Sequence, residues 1–253
     1  ACAARGIRTH PLAPDAVVDP ATVAAMFEEC APWAVIDARL RRGLVADALI
    51  ERRRERVAAE VGLLAVAGAE RSVPLVVMSS ASVFAGAKSG PYVESDPVAP
   101  GDPRGRLHAA VEATVAALHP AALVVRAGMP LPSPGSRGVG EGEAPFAVAD
   151  GRPAGSDEAR LVSVAALPDL AGAMLDLLID GERGVWHLAH PEPLAWSDTD
   201  LVRIGAGRGD AEAGPAAGSS PPPASAPPPL PSISPALLGS ERGWVMTSLA
   251  GTA

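Results

Sequence analysis

Apolar residues along this chain follow two rhythms, one of helices and one of buried strands. Behind Asp19-Pro20, the residues Val23, Met26, Phe27 and Cys30 recur at helical spacing. The aspartate suits an N-cap and the proline a first helical position, so residues 20–31 predict an amphipathic helix. Trp33-Ala34-Val35-Ile36-Asp37 predicts a short buried strand, the Arg/Glu/Ala/Leu-rich stretch from about 44 to 70 a long helix, and the unbroken apolar run Val73 to Met78 a second strand. Pro97, Pro100 and Pro103 hold an extended loop. Arg106 to Leu118 then predicts a helix, and Ala122-Leu123-Val124-Val125-Arg126 a third strand.

Strand, helix, strand, helix, strand, joined by crossover-length connections, predicts an α/β fold: a Rossmann-like parallel sheet with flanking helices. Parallel strands are covered on both faces, which is why they are written as continuous apolar runs. The run ending at Met78 passes into Ser79-Ser80-Ala81-Ser82-Val83-Phe84-Ala85-Gly86, which delivers hydroxyls to the carboxyl edge of the sheet, where open α/β folds bind ligands.

Beyond about residue 130 the pattern loosens. Residues 130–160 are rich in Gly, Pro, Ser and charge and read as a long loop, and the glycines at 135, 138, 140 and 142 belong to it. Leu161 to Val164 predicts a short strand, Pro168 to Ile179 an apolar helix, and Gly184 to Leu188 another strand. From 205 to 235 the chain is nearly all Gly, Ala, Ser and Pro, too poor in apolar surface to order itself. A Pro/Ala/Ser-rich disordered linker is therefore expected over 205–235, with a segment docking back over 236–253.

Composition narrows the possibilities. The chain is 48% hydrophobic but only 3% aromatic, so its core is built from small aliphatic side chains. A net charge of −8 argues against a nucleic-acid partner, which needs clustered Lys and Arg. The one basic run, around Arg39 to Arg56, is interleaved with Glu51, Glu55 and Glu60 and reads as a solvated helix face. Cys2 and Cys30 have neither a disulfide framework nor metal-ligand spacing, so a reduced, cytoplasmic setting is expected and no metal. No stretch reaches the ~20 apolar residues of a membrane span, and no secretory signal is expected.

With Pro91-Tyr92-Val93-Glu94-Ser95-Asp96 following it, the segment Ser79 to Gly86 is similar to the Ser-Thr-Asp-Tyr-Val-Phe-Asp-Gly…Pro-Tyr-x-Glu-x-Asp signature of the dTDP-4-dehydrorhamnose reductases, of the extended short-chain dehydrogenase/reductase class. Val18 to Val23, Pro32 to Ala38 and Leu178 to Leu188 resemble further stretches of that family. The likeness covers about 5–203 and 238–249. More narrowly, the chain resembles the reductase-like domain that some bacteria fuse behind a glycosidase-like one. It implies a reductase-type unit over 1–204 with a small substrate subdomain from about 130.

The resemblance implies NADPH-dependent reduction of a dTDP-4-keto-6-deoxy sugar in dTDP-rhamnose biosynthesis. In that chemistry a tyrosine gives the proton, a lysine one helical turn later lowers its pKa, and a Ser or Thr hydroxyl binds the carbonyl. The family pattern Pro-x-x-x-Tyr-Gly-x-x-Lys-x-x-x-Glu aligns with Pro100, Gly105 and Glu112, which puts Arg104 at the tyrosine and His108 at the lysine. A guanidinium is no proton donor near neutral pH, so the expected catalytic pair is Ser80 and His108; a serine at a strand end is also commonly a cap. Phe84 and Arg126 fall on the substrate side, although Arg126 equally suits a strand-end ion pair.

The cofactor, if any, would be NADP(H), with Ala38 at the family's cofactor-facing Asn-Ala-Ala stretch, here Asp37-Ala38-Arg39. A carboxylate there repels a phosphate unless Arg39 pairs with it. No Gly-x-x-Gly-x-x-Gly motif precedes residue 20, and Ala1 to Ile7 resembles the tail of the helix that follows that loop. Either the sequence starts beyond the glycines or the first strand is gone. The expectation is a dTDP-sugar domain with impaired catalysis, or else a non-enzymatic binding or regulatory module with a protein partner or fused domain.

Overall fold

The computed structural model describes residues 1–12, 18–39, 47–131, 160–196, 236–243 and 246–248. Helix α1 (Pro20–Cys30) opens as expected, with the Asp19 carboxylate accepting the Thr22 N–H at 2.7 Å and Pro20 in its first turn. Strand β1 (Val35–Asp37), helix α2 (Asp47–Arg71), strand β2 (Leu75–Ser80), helix α3 (Pro103–Leu118) and strand β3 (Leu123–Ala127) follow. Three short strands, β4 (Met129–Leu131), β5 (Arg160–Val162) and β6 (Val164–Ala166), precede helix α4 (Leu167–Ile179), β7 (Gly184–Leu188) and β8 (Leu194–Trp196).

The main sheet has four parallel strands in the order β1-β2-β3-β7. This is the Rossmann-like α/β architecture, with helices on both faces. Strand alternation sorts β2 cleanly between two cores. Leu75 and Val77 pack with Val23, Phe27, Val61, Leu64, Val111 and Val115 beneath α1, α2 and α3. Val76 and Met78 pack with Leu170, Leu175, Leu178, Trp186 and Leu188 beneath α4. Removing each of these Val or Leu side chains from water contributes about 1.5–3 kcal/mol.

Several boundaries differ from the sequence reading. β1 is shorter than the apolar run suggests and is an edge strand, with Ile36 and Trp33 exposed, so it is not the buried strand expected. Where the apolar pattern predicts a single strand over 161–164, β5 pairs antiparallel with β8 and β6 pairs parallel with β4. Neither β4 nor β8 carries enough apolar alternation to be read from three residues. Residues 236–243 lie against the body, with Leu238 in a parallel bridge to Tyr92. Tyr92 N–H donates to the Leu237 carbonyl and Gly239 N–H to the Tyr92 carbonyl, each at 2.8 Å. The expected 205–235 linker and the loop glycines at 135–142 lie outside the described residues.

Candidate functional site

The carboxyl end of β2 turns sharply through a 3-10 turn, Ala81–Val83, whose cap is Ser80: its Oγ accepts the Ser82 N–H at 3.2 Å. That bond uses one acceptor lone pair and leaves the hydroxyl proton to be directed elsewhere. Ser80 is half-buried. Helix α3 starts directly against this turn. Asp102 caps it by accepting the Gly105 N–H at 2.7 Å, and a Cβ on Gly105 would sit 2.0 Å from the Ser82 carbonyl oxygen. Only glycine permits that approach, which sets the first turn of α3 beside Ser80.

Arg104 and His108 are therefore one helical turn apart on the helix nearest Ser80. Arg104 is half-buried. His108 is 3% exposed, and both residues make contacts inside the molecule. The imidazole is thus a core side chain rather than one offered to a ligand, which weakens its candidacy as a proton donor.

A different cluster occupies the carboxyl end of β1. The buried Asp37 carboxylate receives Arg39 Nη2 at 2.7 Å, Nε at 3.0 and 3.2 Å, and the Arg39 backbone N–H at 3.0 Å. Arg39 Nη1 also donates to Glu60 at 2.9 Å, and Glu60 in turn accepts from Arg56 at 2.8 Å. Burial alone would lower the Arg39 pKa, but the two carboxylates raise it, so the cation is fixed. Ala38 is exposed beside this cluster.

The outer edge of β1 opens on a cleft of about 1140 Å³ between α1 and α4, lined among others by Trp33, Ile36, Asp37, Arg39, Leu178 and Ile179. Arg39 pairs with Asp37, and Glu60 is shared between Arg39 and Arg56, so the cluster is charge-balanced and its Arg39 is already committed to carboxylates rather than free for a cofactor phosphate.

Phe84 and Arg126 are brought together, but in the interior. Phe84 is fully buried and stacks on Tyr92 with ring centroids 4.2 Å apart, its edge toward His187 and the Arg126 guanidinium 5.1 Å over its face. Arg126, at 4% exposure, donates to Glu112 on α3 at 2.8, 3.0 and 3.2 Å. Ser79 also donates to Glu112. Both residues are thus buried in this structure, and Arg126 forms an ion pair with Glu112 at the end of its strand.

Glu94 is the hub of the same interior. It accepts the His187 N–H at 3.0 Å, the Ser240 hydroxyl at 2.7 Å and the Glu241 N–H at 3.0 Å. Burial works to raise its pKa, but these donors outweigh it and hold the carboxylate below its usual value.

Residues 1–135 match the model of the RmlD substrate binding domain. The chain belongs to that family, the family of the dTDP-4-dehydrorhamnose reductases. No curated protein matches the chain. Among solved structures, the dTDP-4-dehydrorhamnose reductase of Bacillus anthracis, in complex with NADP, is 19% identical with a TM-score of 0.61, covering 79% of this chain and 72% of that one. The reductase of Clostridium acetobutylicum is 21% identical with a TM-score of 0.57, over 74% of this chain and 66% of its own. The dTDP-glucose 4,6-dehydratase DesIV of Streptomyces venezuelae, with NAD bound, is 14% identical with a TM-score of 0.52, over 74% and 60%. The chain thus spans less than two thirds of the Clostridium and Streptomyces proteins. Likeness at these identities shows a shared fold.

Within this RmlD-type framework, Glu94, Glu112 and His187 hold the site together, and sequence reading assigns none of them a role. Glu94 and Glu112 stand inside the quoted motifs, which is the available signal. His187 follows Trp186 in a strand and offers none. No helix among the described residues is long and apolar enough to cross a membrane.

Proposed function

We propose that the chain is a dTDP-sugar domain of the reductase type whose hydride-transfer step is impaired. The observation that carries this reading is the pair Arg104 and His108 on the first turns of α3, where the resemblance places a phenol and an amine. Ser80 keeps the position of the carbonyl-binding hydroxyl. A guanidinium cannot release a proton near neutral pH, and an imidazole withdrawn from solvent is poorly placed to substitute. The Asp37–Arg39–Glu60 cluster adds a second point in support of this reading, since Arg39 is held in ion pairs and is not free to meet the cofactor phosphates. In this reading 1–204 is the folded unit and 205–235 tethers the carboxyl-terminal segment.

The decisive experiment is a pair of titrations on the purified chain. NADPH fluorescence should remain unchanged up to millimolar cofactor, whereas a dTDP-sugar should raise the melting temperature. A ligand at 100 times its Kd adds about 2.7 kcal/mol of stability. Saturable NADPH binding with turnover would overturn impairment. A second reading, a non-enzymatic binding module on the same fold, is supported by the open edge of β1 with Trp33 and Ile36 exposed at the cleft. It becomes the better one if the dTDP-sugar also fails to bind.

A further inference from the structure

The carboxyl-terminal segment is fastened to the body by two buried imidazoles. His187 Nδ1 lies 2.8 Å from the Gly239 carbonyl oxygen and 3.1 Å from that of Tyr92. Carbonyl oxygens only accept, so this nitrogen carries the proton. Its Nε2 lies 3.4 Å from Arg126 Nη1, which only donates, so this nitrogen must be bare. His190 repeats the arrangement, with Nδ1 on the Thr247 carbonyl and Nε2 accepting the Ala166 N–H at 3.0 Å. Both rings are therefore neutral when the segment is seated, and both hold it by the same nitrogen.

The segment they hold forms one flank of the candidate site. Ala236 and Leu238 pack on Ala81, Val83, Phe84 and Tyr92, the turn that Ser80 caps. Leu238 N–H donates to Ser163 Oγ at 2.8 Å, and Glu241 accepts from Ser95 at 2.9 and 3.0 Å.

We propose that residues 236–243, with 246–248, form a proton-sensitive strap, seated on the Ser80 turn while His187 is neutral and released when it is protonated. A second proton on His187 would point Nε2–H at the Arg126 guanidinium, donor against donor and cation against cation. The charged groups around the ring do not all push the same way. Arg126 on β3 opposes protonation; Glu94, in the loop after β2, favours it, and Asp96 lies within its field. Glu112 on α3 neutralises Arg126, and Lys88 neutralises Asp96. Burial under the strap and body is the largest influence and lowers the His187 pKa from 6.5, outweighing the Gly239 and Tyr92 carbonyls, whose bonds to Nδ1 favour the charged ring. His190 has an acidic-side partner as well: Asp169 Oδ2 lies 3.6 Å from Nε2 and accepts no hydrogen bond.

The sign follows. A histidine whose pKa is depressed on docking supports the docked state above its free pKa and loses that support as pH falls below it. Between pH 7.5 and 5.5 the pH passes to about one unit below the free pKa of about 6.5, so the docking equilibrium constant, and with it amide protection, should fall by up to about tenfold.

The test is amide hydrogen exchange at Tyr92, Leu238 and Gly239 at these two pH values, corrected for intrinsic rates and referred to the core amides of β2 and β3. The proposal expects protection of these three amides to drop up to about tenfold at pH 5.5 while the core stays protected. Equal protection at both pH values would overturn it. His187→Asn keeps a donor near the Nδ1 position without a titrating ring, so its strap protection should be independent of pH; persistence of the wild-type pH response in this variant would also overturn the proposal. Should that variant fail to seat the strap, nitrogen NMR of the wild-type rings decides. The His187 ring must be the Nδ1–H tautomer at pH 7.5 and titrate together with the loss of protection. A ring that titrates while the strap stays seated, or a strap that loosens while the ring stays neutral, sinks the idea.

Discussion

Glu112 on α3 and Arg126 on β3 close on one another through hydrogen bonds of 2.8, 3.0 and 3.2 Å, with both side chains buried. The pair fixes the helix that carries Arg104 and His108 to the strand beside β2. Removing one partner leaves an uncompensated charge in a poorly solvated place, which costs more than the pair itself contributes. Glu112→Ala should lower unfolding free energy by about 3–5 kcal/mol. The double change Glu112→Leu with Arg126→Met should recover most of that. Urea unfolding at pH 7 measures both, and a double variant no better than the single one would contradict this account.

Gly105 sits where any side chain would collide with the Ser82 carbonyl oxygen. Because the obstacle is backbone on both sides, relaxation must move α3 or the 3-10 turn. Gly105→Ala should cost about 1–3 kcal/mol, the usual range for overpacking. Thermal unfolding gives the comparison, and a neutral substitution would mean that the two backbones are less closely packed.

Restoring the reductase-type pair alone should not restore hydride transfer. Arg104→Tyr with His108→Lys leaves Arg39 at the end of β1 committed to Asp37 and Glu60 rather than free for a cofactor phosphate. NADPH oxidation followed by absorbance should stay at background with a dTDP-4-keto sugar. Measurable turnover would show that the β1 cluster is no obstacle.

Glu94 gives a second, more acidic transition. Its carboxyl pKa lies below 4.5 in the folded protein, so its support is present above that value and lost as pH falls through the folded pKa. Glu94→Gln should flatten the stability profile below pH 4.5 and raise exchange at Glu241 at neutral pH. An unchanged profile would remove Glu94 from the role of hub.

Much of the sheet is legible in the sequence because its causes are local. Continuous apolar runs need no partner to be recognised: Leu75 to Met78 and Leu123 to Val125 are buried on both faces, so unbroken apolarity marks them. Asp19-Pro20 marks a helix start for the same reason. β1 misleads because Ile36, and Trp33 just before the strand, face an open cleft while Val35 packs against the core. The polar interior is not legible because its bonds join distant residues: Glu94 meets His187 across 93 positions and Ser240 across 146. Phe84 and Arg126 do lie side by side, yet only the fold determines that they face inward.

The Phe84–Tyr92 ring pair has a practical consequence. Tyr92 is the sole tyrosine of the chain, and its backbone bridges to Leu238. Reagents that nitrate or iodinate phenols would therefore mark the molecule at a single place. The rate of that labelling, followed against acidity, turns the stacked ring into a built-in gauge of whether its neighbouring tail is attached.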